Sequence, residues 1–187
     1  MPYSIVVKQG NLLNEEADFI VNASNTKLIL GSGVSMAFKR HCGIELQNEM
    51  SSVLISIDSD LEQGDVVATS SGKANNFKYS LHVAIMNYNQ GVKYNKKNPT
   101  IEIIKKALQN IENYLLWYAK NKSNSMKLVL PLMGCGVGGL DKTDVIKLYK
   151  NFFYRDVAFE CEVIIYGYNI EDYKKICKIM RIEDNGI

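Results

Sequence analysis

Two periodicities divide this chain. Short runs rich in β-branched and aromatic residues predict strands at residues 3–8, 18–22, 66–69, 79–85, 127–133 and 162–168. Between them apolar residues recur at helical spacing. Val34, Ala37, Phe38 and His41 form one such stripe, and a second helix is expected over residues 45–55. Ile101, Ile104, Leu108, Ile111, Leu115 and Tyr118 mark one face of a long helix, with Asn98 as its expected N-cap and Pro99 at its first position. Val145, Leu148, Tyr149 and Phe152 follow Asp141, which is placed to cap them, and Tyr173, Ile176 and Met180 lie on a last helix.

The strand at 127–133 is an almost unbroken apolar run, as expected for a strand buried on both faces, although Pro131 demands a bulge or an unpaired position. Strands and helices alternate without a break in composition, an internal repeat or a low-complexity segment. That pattern predicts one α/β/α layered domain over residues 1–187, built on a mainly parallel sheet. In such sheets ligands bind beyond the carboxyl ends of the strands, where the polar and glycine clusters are expected to gather, the Ser71-Gly72-Lys73 turn among them.

Composition narrows the classes of partner. With 22 Lys plus Arg against 20 Asp plus Glu the net charge is +2, too balanced for a broad nucleic-acid-binding face. No apolar run reaches membrane-spanning length and residues 1–8 carry no secretion signal, so a cytoplasmic protein with no membrane partner is expected. Cys42, Cys135, Cys161 and Cys177 form no C-x-x-C pair and the histidines are only His41 and His82, so neither structural zinc nor a disulfide framework is expected.

The chemistry concentrates in two glycine loops, Gly31-Ser32-Gly33 and Gly134-Cys135-Gly136-Val137-Gly138-Gly139, each following an apolar segment and opening into a helix. Exposed amides at a helix N-terminus hold phosphate, and two such loops suggest a diphosphate. Neither cluster contains Lys or Arg, so the backbone is expected to hold the anion. Gly134-x-Gly136-x-x-Gly139 also fits a dinucleotide fingerprint with Glu160 and Glu162 as ribose acceptors, which keeps a nicotinamide-dependent oxidoreductase as an alternative. Fewer strand-helix units follow it than that fold requires.

These segments together resemble the macro domains that bind ADP-ribose. Gly10-Asn11-Leu12 looks like the family's Gly-Asp-Ile element and Asn22-Ala23-Ser24-Asn25 like its Asn-Ala-Ala-Asn. Leu30-Gly31-Ser32-Gly33-Val34 is similar to its first phosphate loop and residues 131–141 to its second. The resemblance implies a three-layer α/β/α fold with a central mixed, mainly parallel sheet, an ADP-ribose or ADP-ribosylated partner, and no cofactor. By it, Asn11 meets the adenine amino group, where its amide can accept and donate in place of the family's carboxylate, although Asn11 is equally suited to capping a turn. Asn25 holds the distal ribose and Asn22 supports the loop. Tyr166 stands against adenine, with Tyr168 two residues on along the same strand face; core packing is the other reading of both.

The departures bear on catalysis. One hydrolase subgroup of the family has an Asp after the valine of the first loop, where this chain has Ser35, and another has an Asp where this chain has Gly138. The catalytic candidates are therefore Asn25, to position the ribose, and Ser35, to orient water. Cys135 is read as a small residue fitted between glycines. The functions implied are an ADP-ribosyl hydrolase or a module that reads ADP-ribose without chemistry.

Overall fold

The apolar runs pair into one six-stranded sheet in the order β1-β6-β5-β2-β4-β3. The strands are β1 (Ser4–Gln9), β2 (Ala17–Asn25), β3 (Val66–Ser70), β4 (Phe77–Met86), β5 (Ser125–Pro131) and β6 (Glu160–Gly167). In this computed structural model, which describes residues 3–183, all neighbours are parallel except β3, which runs antiparallel to β4. Met1 and Pro2, part of the segment read above for a secretion signal, lie outside the described residues, as do residues 184–187. Among the described residues no helix is long and apolar enough to cross a membrane.

Side chains alternate across the sheet and fill two cores. Phe19, Val21, Leu81, Val83, Leu128, Leu130, Val163 and Ile165 pack against helices α2 (Ile101–Asn121), α3 (Lys142–Phe153) and α4 (Ile170–Met180). Ile20, Ala84, Val129, Ile164 and Tyr166 face the other way, onto Phe38, Cys42, Leu46 and Met50 of α1 (Gly33–Ile57). The result is the layered α/β/α arrangement expected from the pattern. The two helices expected over 34–41 and 45–55 are halves of α1, joined where Gly43 leaves helical geometry at φ 80°. That break exposes the Cys42 carbonyl, which accepts from the Lys73 amide at 2.9 Å.

Four expectations need correction. The N-cap of α2 is Thr100, whose hydroxyl accepts from the Ile103 amide, and not Asn98; Pro99 stands outside the helix, within reach of Gly134 and Gly138. The strand expected over 18–22 does not stop at Asn22 but runs on through Asn25, so Asn22-Ala23-Ser24-Asn25 forms its last four residues, with the register shifting against β4 at Ser24/Asn25. Tyr168 lies beyond the end of β6 and is 87% exposed, so it shares no strand face with Tyr166. The Ser71-Gly72-Lys73 turn follows the one antiparallel strand, so it leaves the sheet at the opposite end from the other clusters and packs on α1 instead. Pro131 needs no bulge. It is the last residue of β5, two beyond the final β5 residue paired with β2, where a missing amide costs no ladder bond on that side.

Candidate functional site

A cleft of about 1090 Å³ opens at the carboxyl end of the parallel strands. Both glycine loops line it, with Gly31, Ser32, Gly33 and Val34 on one side and Gly134, Cys135, Gly136, Val137 and Gly138 on the other. Asn11, Leu12, Asn25, Ser35, Tyr166 and Tyr168 line it as well. Asn22 does not. It is fully buried beneath the cleft floor.

The first loop is built by side chains from outside it. Asn25 Oδ1 accepts from the Lys27 and Ile29 amides at 3.1 and 3.2 Å, and its Nδ2 donates to the Ile29 carbonyl at 2.9 Å. Gln47, on α1, donates to the Leu28 carbonyl and accepts from the Leu30 amide, both within 2.9 Å. These bonds hold Leu28 at φ 51°, a conformation unusual for a branched residue. Gly33 then enters α1 at φ 54°, and the Ser32 side chain makes no capping hydrogen bond. Among the described residues, the amides of 31–34 donate to no protein acceptor, so this helix end can take an anion.

The second loop closes on itself. Gly139 N donates to the Gly136 carbonyl at 3.1 Å and Leu140 N to the Gly134 carbonyl at 3.0 Å, while the amides of 136–138 have no protein acceptor among the described residues. Asp141 then caps α3, accepting from the Thr143 and Asp144 amides at 2.8 and 3.2 Å.

One end of the cleft is aromatic. Tyr166 presents a mostly buried ring, and its hydroxyl donates to Glu15 Oε2 at 2.8 Å, an oxygen also bound by Lys8 Nζ at 2.7 Å. Burial alone would raise the Glu15 carboxyl, but Lys8 and the Tyr166 hydroxyl outweigh it and hold its pKa below the usual carboxylate range. Asn11 caps a 3-10 turn at Leu12–Asn14, its Oδ1 accepting from the Leu13 amide at 3.1 Å. Among the described residues its Nδ2 hydrogens and one oxygen lone pair have no protein partner and stay open for a ligand.

At the floor, Ser35 Oγ donates inward, 2.9 Å from Asn22 Oδ1 and 3.2 Å from the Ala23 carbonyl. Asn22 Nδ2 lies 3.0 Å from His82 Nδ1, and His82 Nε2 lies 2.7 Å from Thr69 Oγ1. Burial lowers the His82 pKa to about 3, so the ring is neutral. His41 lies outside this chain of bonds, 3.0 Å from Asn76 Oδ1. Burial pushes the Cys135 thiol up to about 12, which suits the small packing role and not a thiolate nucleophile.

Two cationic cleft residues, Arg40 and Lys142, escape a search confined to the glycine clusters. Arg40 lies two turns along α1 from Gly33, on the face shared with Met36 and Ala37. Lys142 follows the Asp141 cap and pairs with the buried Asp172 at 2.6 Å. The clusters themselves hold no cation, but the cleft holds these two; the helical step from Gly33 to Arg40 was the available signal. Glu160 and Glu162, the ribose acceptors of the dinucleotide alternative, open β6 at the end of the sheet away from the cleft. An acceptor must sit where a strand ends, so that fingerprint lacks its partner. Among the described residues no group of three or more His, Cys, Asp or Glu side chains could hold a metal ion.

Known proteins resemble this chain in sequence and in fold. An uncharacterized protein of Sulfolobus acidocaldarius is 26% identical over 170 residues, covering 87% of this chain and 83% of its own length. The fold matches the Oceanobacillus iheyensis macrodomain with ADP at a TM-score of 0.74 and 19% identity, over 95% of this chain and 90% of that one. It also matches the Trypanosoma brucei macrodomain in complex with ADP-ribose at a TM-score of 0.73 and 19% identity, over 93% of this chain and 68% of that one. The sequence model of the Macro domain matches residues 21–149, a span that runs from within β2 to within α3 and includes both glycine loops: the chain belongs to the macro domain family.

Proposed function

We propose that the cleft binds ADP-ribose, free or attached to a larger partner, and that the chain reads this group without cleaving it rapidly. The diphosphate lies between the two glycine loops, adenine lies at the Asn11 and Tyr166 end, and the distal ribose lies toward Asn25. The observation that carries the binding is the opening of two amide-rich loops, free of protein acceptors, onto one cleft large enough for a dinucleotide-sized ligand. Arg40 and Lys142 add positive charge at its walls.

The preference for recognition rests on the cleft's acidic groups. Among its described lining residues the only one is Asp172, which is paired with Lys142, so no carboxylate stands ready to activate water. A hydrolytic reading would rest on Asn25, which keeps one amide hydrogen for the ribose, and on Ser35. Without a general base its rate falls about 10²- to 10⁴-fold below that of an acid-equipped hydrolase.

Calorimetric titration with ADP-ribose, beside single-turnover release assays on mono-ADP-ribosylated protein and nucleic acid, tests both parts. Saturable binding with slow or no release is expected. Failure to bind ADP-ribose refutes the first part. Rapid release that Asn25→Ala abolishes while binding persists refutes the second.

A further inference from the structure

A buried line of polar groups crosses three strands beneath α1 and ends at the cleft. Asn22 and His82 are register partners on β2 and β4, and Thr69 stands on β3 beside them. Asn22 and His82 are fully buried, and Thr69 and Ser35 are nearly so. Water cannot rearrange such a line freely, so each proton must go where an acceptor stands.

The carbonyl of Ser70 gives the line its direction when it takes the Thr69 proton. A carbonyl only accepts, so the Thr69 hydroxyl, 2.9 Å away, donates its single hydrogen there. With its hydrogen so placed, Thr69 Oγ1 accepts from His82 Nε2–H at 2.7 Å. A neutral ring carrying hydrogen on Nε2 has a bare Nδ1, which accepts from Asn22 Nδ2 at 3.0 Å. The Asn22 amide is thereby oriented with Oδ1 toward Ser35, and the Ser35 hydroxyl donates to it at 2.9 Å. The Ala23 carbonyl, at 3.2 Å, draws the same proton inward.

We propose that His82 is a positioning residue: through the Asn22 amide it locks Ser35 as a hydrogen-bond acceptor, and Ser35 selects a ligand that offers a sugar hydroxyl at that point. Ser35 lines the cleft and its proton points into the protein, so what its hydroxyl can offer a ligand is a lone pair. A phosphate oxygen there would meet lone pairs and be repelled, which confines phosphate to the backbone amides and leaves this corner to a donor. The choice of a distal ribose hydroxyl as that donor rests on the ADP-ribose reading above; the direction of the line does not.

The test has a spectroscopic arm and a binding arm. Long-range proton–nitrogen NMR of histidine-labelled protein, with His41→Gln to assign the two rings, should find His82 neutral at pH 7 with its hydrogen on Nε2. Calorimetry with ADP-ribose analogues, each distal hydroxyl replaced in turn by hydrogen, should show one analogue binding about 3- to 10-fold more weakly. That penalty should vanish in Ser35→Ala. Thr69→Val, far from the ligand, removes the acceptor for Nε2–H; it should move the His82 hydrogen to Nδ1, reverse the Asn22 amide and shrink the same penalty. A His82 hydrogen on Nδ1 in the unaltered protein overturns the proposal. So does a penalty that persists in Ser35→Ala, or one unchanged in Thr69→Val once the hydrogen has moved. If ADP-ribose does not bind while His82 carries its hydrogen on Nε2, the ADP-ribose reading fails and the direction of the line stands.

Discussion

The two glycine loops look alike in sequence but use their glycines for different ends. In the first, a Cβ on Gly33 would meet nothing within 4 Å and one on Gly31 only the Ile29 side chain at 3.9 Å. In the second, a Cβ on Gly134 would stand 2.7 Å from Leu140 Cδ1, and one on Gly138 would stand 2.6 Å from the Gly134 carbonyl oxygen and 2.8 Å from Pro99. Gly136, at the tip, is open. The first loop therefore leaves space at its glycines for what enters the cleft, with Gly33 also holding a left-handed φ of 54°, whereas the second needs glycine at two positions for its own packing. A glycine-rich motif does not by itself say which.

Substitution separates the two uses, and the largest effect is expected at the first loop. Gly33→Glu puts a carboxylate where a phosphate approaches, and like charges at close range cost several kcal/mol, so ADP-ribose affinity should fall by a factor on the order of 100 or more. Calorimetry on the folded variant checks this; unchanged affinity would remove the first loop from the site.

Gly134→Ala comes next, and acts on stability. Its Cβ meets Leu140 and its backbone is held at φ 79°, so overpacking of about 1–3 kcal/mol adds to about 1–2 kcal/mol for the left-handed conformation. The thermal midpoint should drop by roughly 4–20 °C for a chain of this size. Gly138→Ala should show the overpacking cost alone. If both variants melt like the parent, the second loop has no packing requirement and the contrast collapses.

Gly136→Ala sharpens the contrast from within the second loop. Its Cβ has room, so stability should change by less than about 0.5 kcal/mol, while a methyl group beside the amides of 136–138 should weaken ADP-ribose binding several-fold. A variant that loses stability without losing affinity would reverse this assignment.

The smallest difference lies in the helix caps. Asp141 caps α3 through two amides whereas the Ser32 side chain caps nothing, so Asp141→Ala should lower the thermal midpoint and Ser32→Ala should leave it unchanged. The backbone amide of Asp144, joined by the Thr143 hydroxyl and amide, holds the Asp141 carboxyl below its ordinary pKa against the opposing effect of desolvation. A depressed folded pKa means that the cap's contribution is present above the ordinary carboxylate range and lost as pH falls through the lowered value. Melting at pH 7 and at pH 3 should show the difference between Asp141→Ala and the parent shrinking at the lower pH.

Local pattern reached far into this molecule. The apolar face of α2, the position of every strand to within a few residues, and both glycine loops opening into helices follow from periodicity and turn chemistry over short windows, which one stretch of chain can satisfy alone. Misreadings arose where a distant segment competed for a residue. Pro99 was placed at a helix start, but the second loop, more than thirty residues on, draws it into packing and leaves the cap to Thr100. Tyr168 continued the alternation of β6 in sequence, yet the ladder with β1 ends at Gly167.

What the sequence alone determined is the alternation of strands and helices and the two amide-rich turns, because backbone preference and hydrophobic period are local. What only the tertiary structure decided is how side chains far apart along the chain share protons and charge. Asn11 and Asn25 were visible as candidates, but only the folded loops show which of their amide groups are taken by the Leu13, Lys27 and Ile29 amides and the Ile29 carbonyl. Arg40 and Lys142 became cleft residues when α1 and the second loop met across the end of the sheet. Ser35 changed from a hydroxyl without a partner into a donor to Asn22 Oδ1, at one end of a buried line that runs through His82 to Thr69, because strand pairing places β2, β4 and β3 side by side.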